Sequence, residues 1–325
     1  MSDRDYFDSY AGAEVHRLML ADRVRTDAYR NAIESLVQPG MIVLDVGCGT
    51  GILSLFAARA GAEQVYAVDR SEILEVTERI VRANDLSGKI KCFAGRAEWI
   101  DLPSRVDLIV SEWMGFFALA ESMFESVTAA RDKHLAVGGH VVPGAIKLCL
   151  TPVEDKRLNH ERGLGFWTKD VYGFDYTPML DYEIADLETV SVLGGEAKDL
   201  AKTVVVADIN CVRDPNARYW FETNFEMPVL SDGELHGFLG HFEAELAPDV
   251  ILSTAHTENL THWRQSWFPV RAREVRKGDV FQMKMRAEKD PHGDGRRPIY
   301  FLDGAHWRGE TELESFFYCY HGTFE

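Results

Sequence analysis

Residues 111–123 place two carboxylates, Glu112 and Glu121, on either side of a run, 113–120, that carries no charge. Just before it, Val106-Asp107-Leu108-Ile109-Val110 reads as a buried strand of an open α/β sheet, and such strands end at the crevice where ligands bind. Carboxylates held there in apolar surroundings need a positive partner, because an unpaired buried charge is very costly. The side chain best matched to a carboxylate pair is a planar guanidinium, whose N–H donors form a rigid fork. The arrangement therefore points to the holding of an arginine.

A second constellation is Asp45-Val46-Gly47-Cys48-Gly49-Thr50-Gly51, with glycines spaced G-x-G-x-G between an apolar run and a helix-like segment. A dinucleotide fingerprint would carry glycine where Ile52 stands, and the Gly-Lys-Ser/Thr ending of a phosphate loop is absent. The glycines let backbone approach a ligand closely, and Asp69, at the end of the following strand, is placed to accept a ribose hydroxyl. A glycine turn with no ligand is the alternative.

These groups need elements to position them. Residues 41–47 form an apolar run into the glycine turn, 52–60 read as a helix closed by Gly61, 65–68 as a second strand and 72–84 as a second helix. Residues 90–93 and 106–110 continue the alternation, so 1–144 are expected to form a doubly wound, Rossmann-like α/β domain. After Pro143-Gly144 the character changes. The runs 202–212, 238–246, 250–255, 279–285 and 299–302 are β-rich without helical spacers, and 145–325 are expected to form an antiparallel β-barrel-like or sandwich domain. Residues 157–172 read as helical and 181–188 are acidic; there is no internal repeat.

With 325 residues, 46% of them hydrophobic, the chain is long enough for about two domains. Its 52 acidic against 35 basic residues give −17, which argues against nucleic acid and anionic membranes and favours cationic partners. The five cysteines form no CxxC or Cys/His metal spacing, so no metal is expected and a reducing, intracellular compartment is the simplest location. No apolar run approaches the roughly 20 residues of a membrane span, and residues 1–5 are unlike a signal peptide. Since the chain begins just before Tyr6, no further N-terminal targeting module is expected.

Three separated motifs resemble known families. Residues 43–51, followed by Val68-Asp69, resemble the cofactor motif of S-adenosylmethionine-dependent methyltransferases. Residues 111–123 resemble the double-E loop of protein arginine methyltransferases, and Leu260-Thr261-His262-Trp263-Arg264-Gln265 resembles that family's threonine-histidine-tryptophan loop. At the N-terminus, residues 6–10, 16–20 and 22–26 resemble the two helices that fold over the cofactor. The similarity runs from about Tyr6 to the C-terminus and is strongest over the first 145 residues. It implies lid helices on the nucleotide domain and a helical arm at about 157–178 that docks onto a second subunit, with Phe166 and Trp167 as apolar anchors or as ordinary core.

By the same resemblance, Glu112 and Glu121 fix the guanidinium plane and hold positive charge away from the attacking nitrogen. Orientation of this kind supplies up to ~7–11 kcal/mol in favourable cases, with electrostatic preorganisation adding to it. Phe7, His16, Met19, Arg25, Asp45, Gly47, Gly49, Gly51, Asp69 and Glu98 would hold S-adenosylmethionine and its product S-adenosylhomocysteine. Arg25 would grip the cofactor carboxylate, and Glu98 would accept from the adenine amino group. Tyr10, Met123 and Trp263 would face the substrate. Asp22 and His262 resemble the pair proposed to remove the released proton, a task suited to histidine; a structural bond joining lid and barrel explains them equally well. Met19 and Met123 match positions that favour asymmetric dimethylarginine.

Three positions depart from the family pattern: Asp69 stands for glutamate, Phe116 for tyrosine and Trp99 for an acidic residue. The expectation is an arginine N-methyltransferase acting as a homodimer on basic proteins or peptides. A methyltransferase for a small guanidine or amine, or a scaffold that binds basic tails without catalysis, are the alternatives.

Overall fold

The computed structural model describes residues 12–120, 123–183, 186–192, 196–215, 220–291 and 298–322. Among the described residues the first elements are two helices, α1 (Ala13–Ala21) and α2 (Arg23–Leu36). Asp22 between them caps α2, its carboxylate accepting from the Arg25 backbone N–H at 3.0 Å. Helix α2 buries Arg25, Tyr29, Ala32 and Ile33, the one-sided stripe expected of an amphipathic helix.

There follow β1 (Ile42–Val46), α3 (Ile52–Ala60), β2 (Gln64–Asp69), α4 (Ile73–Ala83), β3 (Ile90–Ala94), β4 (Val106–Val110), α5 (Phe124–His134) and β5 (Leu135–Val142). The strands pair in parallel in the order β3-β2-β1-β4-β5. Val43, Leu44, Val65, Ile109 and Val110 are wholly buried, as strands covered on both faces require. The strand order reverses between β1 and β4, so a crevice opens beyond their carboxyl ends. The glycine turn leaves one of those ends and Glu112 follows the other. The doubly wound fold expected from the alternation is the fold found.

Beyond Pro143 come β6 (Ala145–Glu154), β7 (Asp186–Val190), β8 (Lys198–Asp199), β9 (Val204–Asn210), β10 (Glu222–Pro228), β11 (Gly233–Ala247), β12 (Val250–Ser253), β13 (Gln265–Val275), β14 (Val280–Lys289), β15 (Pro298–Arg308) and β16 (Thr311–Gly322). Among the described residues these make one curled sheet, antiparallel except where β16 meets β7. Sequence alone does not single out β13, because Pro269 argues against a strand interior. The sheet accommodates it opposite Gly237, next to a register shift in β11. One hydrophobic core spans both halves: Phe117 packs edge-on against Phe268 and Tyr300, with ring centroids 5.4 and 5.5 Å away.

Within the expected arm, regular helix covers only α6 (Lys156–Glu161), with α7 (Leu180–Glu183) beyond its end. Between them lie 3-10 turns at Leu164–Phe166 and Thr177–Met179 and a bridge joining Val171 to Phe174. The helix expected through residue 172 stops because the chain folds back on Asn159; a Cβ on Gly165 would lie 2.5 Å from the Asn159 amide nitrogen. Tyr172, Phe174 and Tyr182 are left exposed, Phe166 is 39% exposed and Trp167 is half-buried. Among the described residues no helix is long and apolar enough to cross a membrane.

Candidate active site

The glycine turn is held by its own backbone. The Gly47 and Cys48 N–H groups both donate to the Val68 carbonyl, and Gly51 donates back to Cys48 at 2.8 Å. Gly47 and Gly49 line a cleft of about 510 Å³, with the His16 ring of α1 against Gly49 and Met123 across from Gly47. Gly51 caps the N-terminus of α3 and is turned instead toward Thr77, whose hydroxyl donates to the Gly49 carbonyl at 2.5 Å.

The loop after β4 doubles back on itself. Gly115 and Ala118 exchange backbone hydrogen bonds, and Phe117 and Ala118 adopt φ of 47° and 57°, a left-handed backbone that costs free energy and recurs at functional sites. A Cβ on Gly115 would lie 2.5 Å from the Ala120 carbonyl, so only glycine closes this turn. Distant residues clamp the loop. The Trp263 indole donates to the Met114 carbonyl at 2.7 Å, the Tyr29 hydroxyl to the Ser111 carbonyl at 3.1 Å, and the Ser111 hydroxyl to Val46 at 2.7 Å.

Glu112 is thereby fixed at the cleft wall, its side chain 10% exposed. One oxygen, Oε2, accepts from Arg25 Nε at 3.1 Å and Nη2 at 3.0 Å. The other, Oε1, is buried with no hydrogen-bond partner among the described residues. Arg25 Nη1 also donates to the Met19 carbonyl at 2.9 Å, fastening α1 to α2. Arg25, expected on the cofactor carboxylate, thus spends its fork on Glu112 while N–H groups remain on Nη1 and Nη2 for a ligand. Glu121, Phe7 and Tyr10 lie outside the described residues.

Asp22 and His262 meet directly. Asp22 Oδ2 accepts from the His262 backbone N–H at 2.9 Å and lies 2.8 Å from Nδ1. Burial pushes the Asp22 carboxyl up, but the bonds from the His262 ring and from the Arg25 and His262 backbones outweigh it and hold it below its usual range. A carboxyl with a lowered folded pKa contributes stability above its unfolded value, near 3.9, and loses it as pH falls through the folded value. Asp22→Asn keeps the helix cap but not the charge, so it should cost about 1–2 kcal/mol at neutral pH. Thermal melts across pH 3–7 check this: the gap to the parent should close below about pH 4, and a gap independent of pH would contradict it.

Glu98, which also lines the cleft, carries a second buried acceptor, Oε2, without a partner among the described residues, while Oε1 lies 3.8 Å from Arg96 Nη1. An orphaned acceptor on Glu98, the glycine turn and the unspent guanidinium donors of Arg25, all lining one cleft, fit a ligand with an amino-bearing ring and a carboxylate, as S-adenosylmethionine has. Asp69 lines the cleft but is already engaged: Oδ2 accepts from Gly49 N–H at 2.8 Å, and Oδ1 from the Ser71 N–H and hydroxyl at 2.8 and 2.6 Å.

Asp45, expected to hold the cofactor, does not reach it. It is not among the residues lining the cleft; its wholly buried carboxylate faces the N-terminus of α3 and accepts from the Ser54 N–H and hydroxyl at 3.0 and 2.7 Å. Burial, opposed by the Ser54 bonds and aided by the charge of Asp69, pushes it up to about 7. It anchors the turn from beneath. His16, Met19, Met123, His262 and Trp263 all line the cleft. Sequence reasoning missed Tyr29 and Thr77, though Tyr29 sits one helical turn past Arg25 on the buried stripe of α2, a legible signal.

Comparison with known proteins agrees with this geometry. A family model described as "Arginine methyltransferase oligomerization subdomain" matches residues 145–296, and one described as "Ribosomal protein L11 methyltransferase (PrmA)" matches 26–141. Protein arginine N-methyltransferase 1 of Schizosaccharomyces pombe is 40% identical over 273 residues, covering 81% of this chain and 78% of the relative. The Dictyostelium discoideum protein of the same name is 38% identical over 273 residues, covering 82% and 79%. Among solved structures, the Trypanosoma brucei PRMT1 enzyme-prozyme heterotetrameric complex with AdoHcy superposes with a TM-score of 0.88 at 28% identity, covering 97% of this chain and 100% of that one. Arabidopsis thaliana protein arginine methyltransferase 10 gives 0.86 at 29%, covering 97% and 99%. The chain belongs to the protein arginine N-methyltransferase family.

Proposed function

We propose that this chain transfers methyl groups from S-adenosylmethionine to arginine side chains of basic proteins or peptides, giving monomethylarginine and then asymmetric dimethylarginine. The observation that carries this is the Glu112 carboxylate at the cleft wall: one oxygen held by Arg25, the other a buried acceptor with no hydrogen-bond partner among the described residues. When bound, S-adenosylmethionine supplies an electrophilic methyl group on a sulfonium.

The chain's own residues do the rest. Arg25 fixes Glu112, so that Oε1 accepts from the substrate guanidinium, with Glu121 as the second carboxylate. Charge accumulates on the side of the guanidinium facing the carboxylates, leaving the opposite nitrogen free to attack. With Nδ1 of His262 donating to Asp22, Nε2 is the nitrogen left to receive the released proton. Met19 and Met123 line the cleft and limit how a monomethylated nitrogen turns, which favours a second methyl on the same atom. The net charge of −17 draws basic substrates, and five free cysteines suit a reducing, intracellular compartment.

Because Asp69 is spent on its own turn, one more methylene should carry a carboxylate into the cleft. Asp69→Glu is expected to tighten S-adenosylhomocysteine binding by roughly 10-fold, one charge-assisted bond. Calorimetry checks this: the parent should bind S-adenosylhomocysteine and ignore NAD. Weaker binding by Asp69→Glu would mean that the Gly49 and Ser71 bonds matter more than reach.

The chain works as a homodimer through the segment 157–178. Support comes from the oligomerization subdomain described over 145–296 and from the exposed aromatics Tyr172 and Phe174. Light scattering should give a dimer that becomes a monomer, with impaired turnover, when the arm is deleted; a stable monomer of the intact chain at micromolar concentration would refute this.

A further inference from the structure

A second cavity, of about 440 Å³, lies between α2 and the barrel and shares no lining residue with the methyl-transfer cleft. Val24 and Ala28 form its helix side; His241, Glu243, Asp199 and His256 line the barrel side. Strand pairing sets Cys149 of β6 directly opposite His241 of β11, so both side chains leave the sheet on one face, and Glu243 follows two residues on, on that face. A ligand atom from each of Cys149, His241 and Glu243 falls within 4.8 Å of the other two.

The histidines supply an independent observation. His241 is 3% and His256 4% exposed, and the Nδ1 atom of each is buried with no hydrogen-bond partner among the described residues. Leaving such a nitrogen unmade costs about 1–3 kcal/mol, so His241, beside Cys149 and Glu243, calls for a ligand. His256 already gives its Nε2 to Asp199 at 3.0 Å, the carboxylate–histidine arrangement that fixes a tautomer around metals.

We propose that the cluster of Cys149, His241 and Glu243 at the edge of this cavity is a metal site, binding one divalent transition ion of the zinc class through Cys149 Sγ, a His241 ring nitrogen and a Glu243 carboxylate oxygen, with water in the fourth position. Thiolate, imidazole and carboxylate are the donor set of tetrahedral zinc, whereas calcium and magnesium take oxygen alone. The Cys149 thiol loses its proton to solvent as the metal–sulfur bond forms, without change of oxidation state. The ion braces β6 against β11 beside the loop that carries His262. Sequence spacing gives no hint of the site, because Cys149 and His241 become neighbours only through strand pairing.

The test is titration of the metal-stripped full chain with Co²⁺ alone. One ion per chain should bind with a sulfur-to-cobalt charge-transfer band, Zn²⁺ should displace it, and Zn²⁺ should raise the melting temperature of the parent. Cys149→Ser should abolish the band. Half-exposed Glu243→Gln should melt like the parent without metal yet bind Co²⁺ at least about 10-fold more weakly. Absence of stoichiometric binding, a band that survives Cys149→Ser, or parent-like affinity in Glu243→Gln would each overturn the proposal.

Discussion

Glu112→Gln is expected to cut turnover on a peptide arginine by roughly 100-fold or more, with S-adenosylhomocysteine binding nearly unchanged. The amide keeps the shape of the side chain but removes its charge. In the parent, Oε2 takes the Arg25 fork at 3.0 and 3.1 Å and Oε1 is a buried acceptor with no partner among the described residues. In the variant only one oxygen accepts, and Arg25 claims it. The amide nitrogen then points donors at the donors of the substrate guanidinium. A single-turnover measurement with saturating cofactor isolates this step. Near-normal turnover would mean that Glu112 is a structural partner of Arg25 and nothing more.

Arg25→Ala attacks the same pair from the other side and should be the most destabilising of these changes. The two side chains are 7% and 10% exposed, and removing one partner of a buried ion pair costs about 3–5 kcal/mol, because the other charge stays behind. The loss also removes one of the two bonds that α2 makes to the Met19 carbonyl, leaving only the Thr26 hydroxyl at 3.3 Å. Denaturant melts should show the stability loss, and turnover should fall with it. Arg25→Lys separates charge from shape: an ammonium preserves a point charge but cannot grip two directions, so it should recover part of the stability and little of the rate. Full recovery of both by lysine would contradict the fork.

Much of the nucleotide half was legible in the sequence because its signals are short-range. The apolar run of β1, the glycine turn and the helix closed by Gly61 follow one another within a single βα unit. Where a side chain points is less legible. Asp45 sits in the glycine motif, yet its position in β1 sends it beneath the turn to Ser54 rather than into the cleft. Contacts between distant segments were legible only in part. The pairing of Asp22 with His262 could be anticipated through family resemblance, while the fork of Arg25 on Glu112 could not, since nothing local in either segment requires it. In the barrel, Pro269 masks a strand that a neighbouring register shift makes possible. In the arm, apolar spacing suggests more helix than forms, because Gly163 and Gly165 let the chain fold back on Asn159.

On the function proposed, the cleft holds an arginine between carboxylates and methylates it. The most direct measurement is incubation of the purified chain with labelled S-adenosylmethionine and an arginine-glycine-rich peptide, followed by mass spectrometry of the exhaustively modified product. Monomethylarginine followed by asymmetric dimethylarginine is the predicted outcome, with label absent when lysine replaces every peptide arginine. Label on the lysine peptide, or no transfer to the arginine peptide by a chain that binds S-adenosylhomocysteine, would contradict the account.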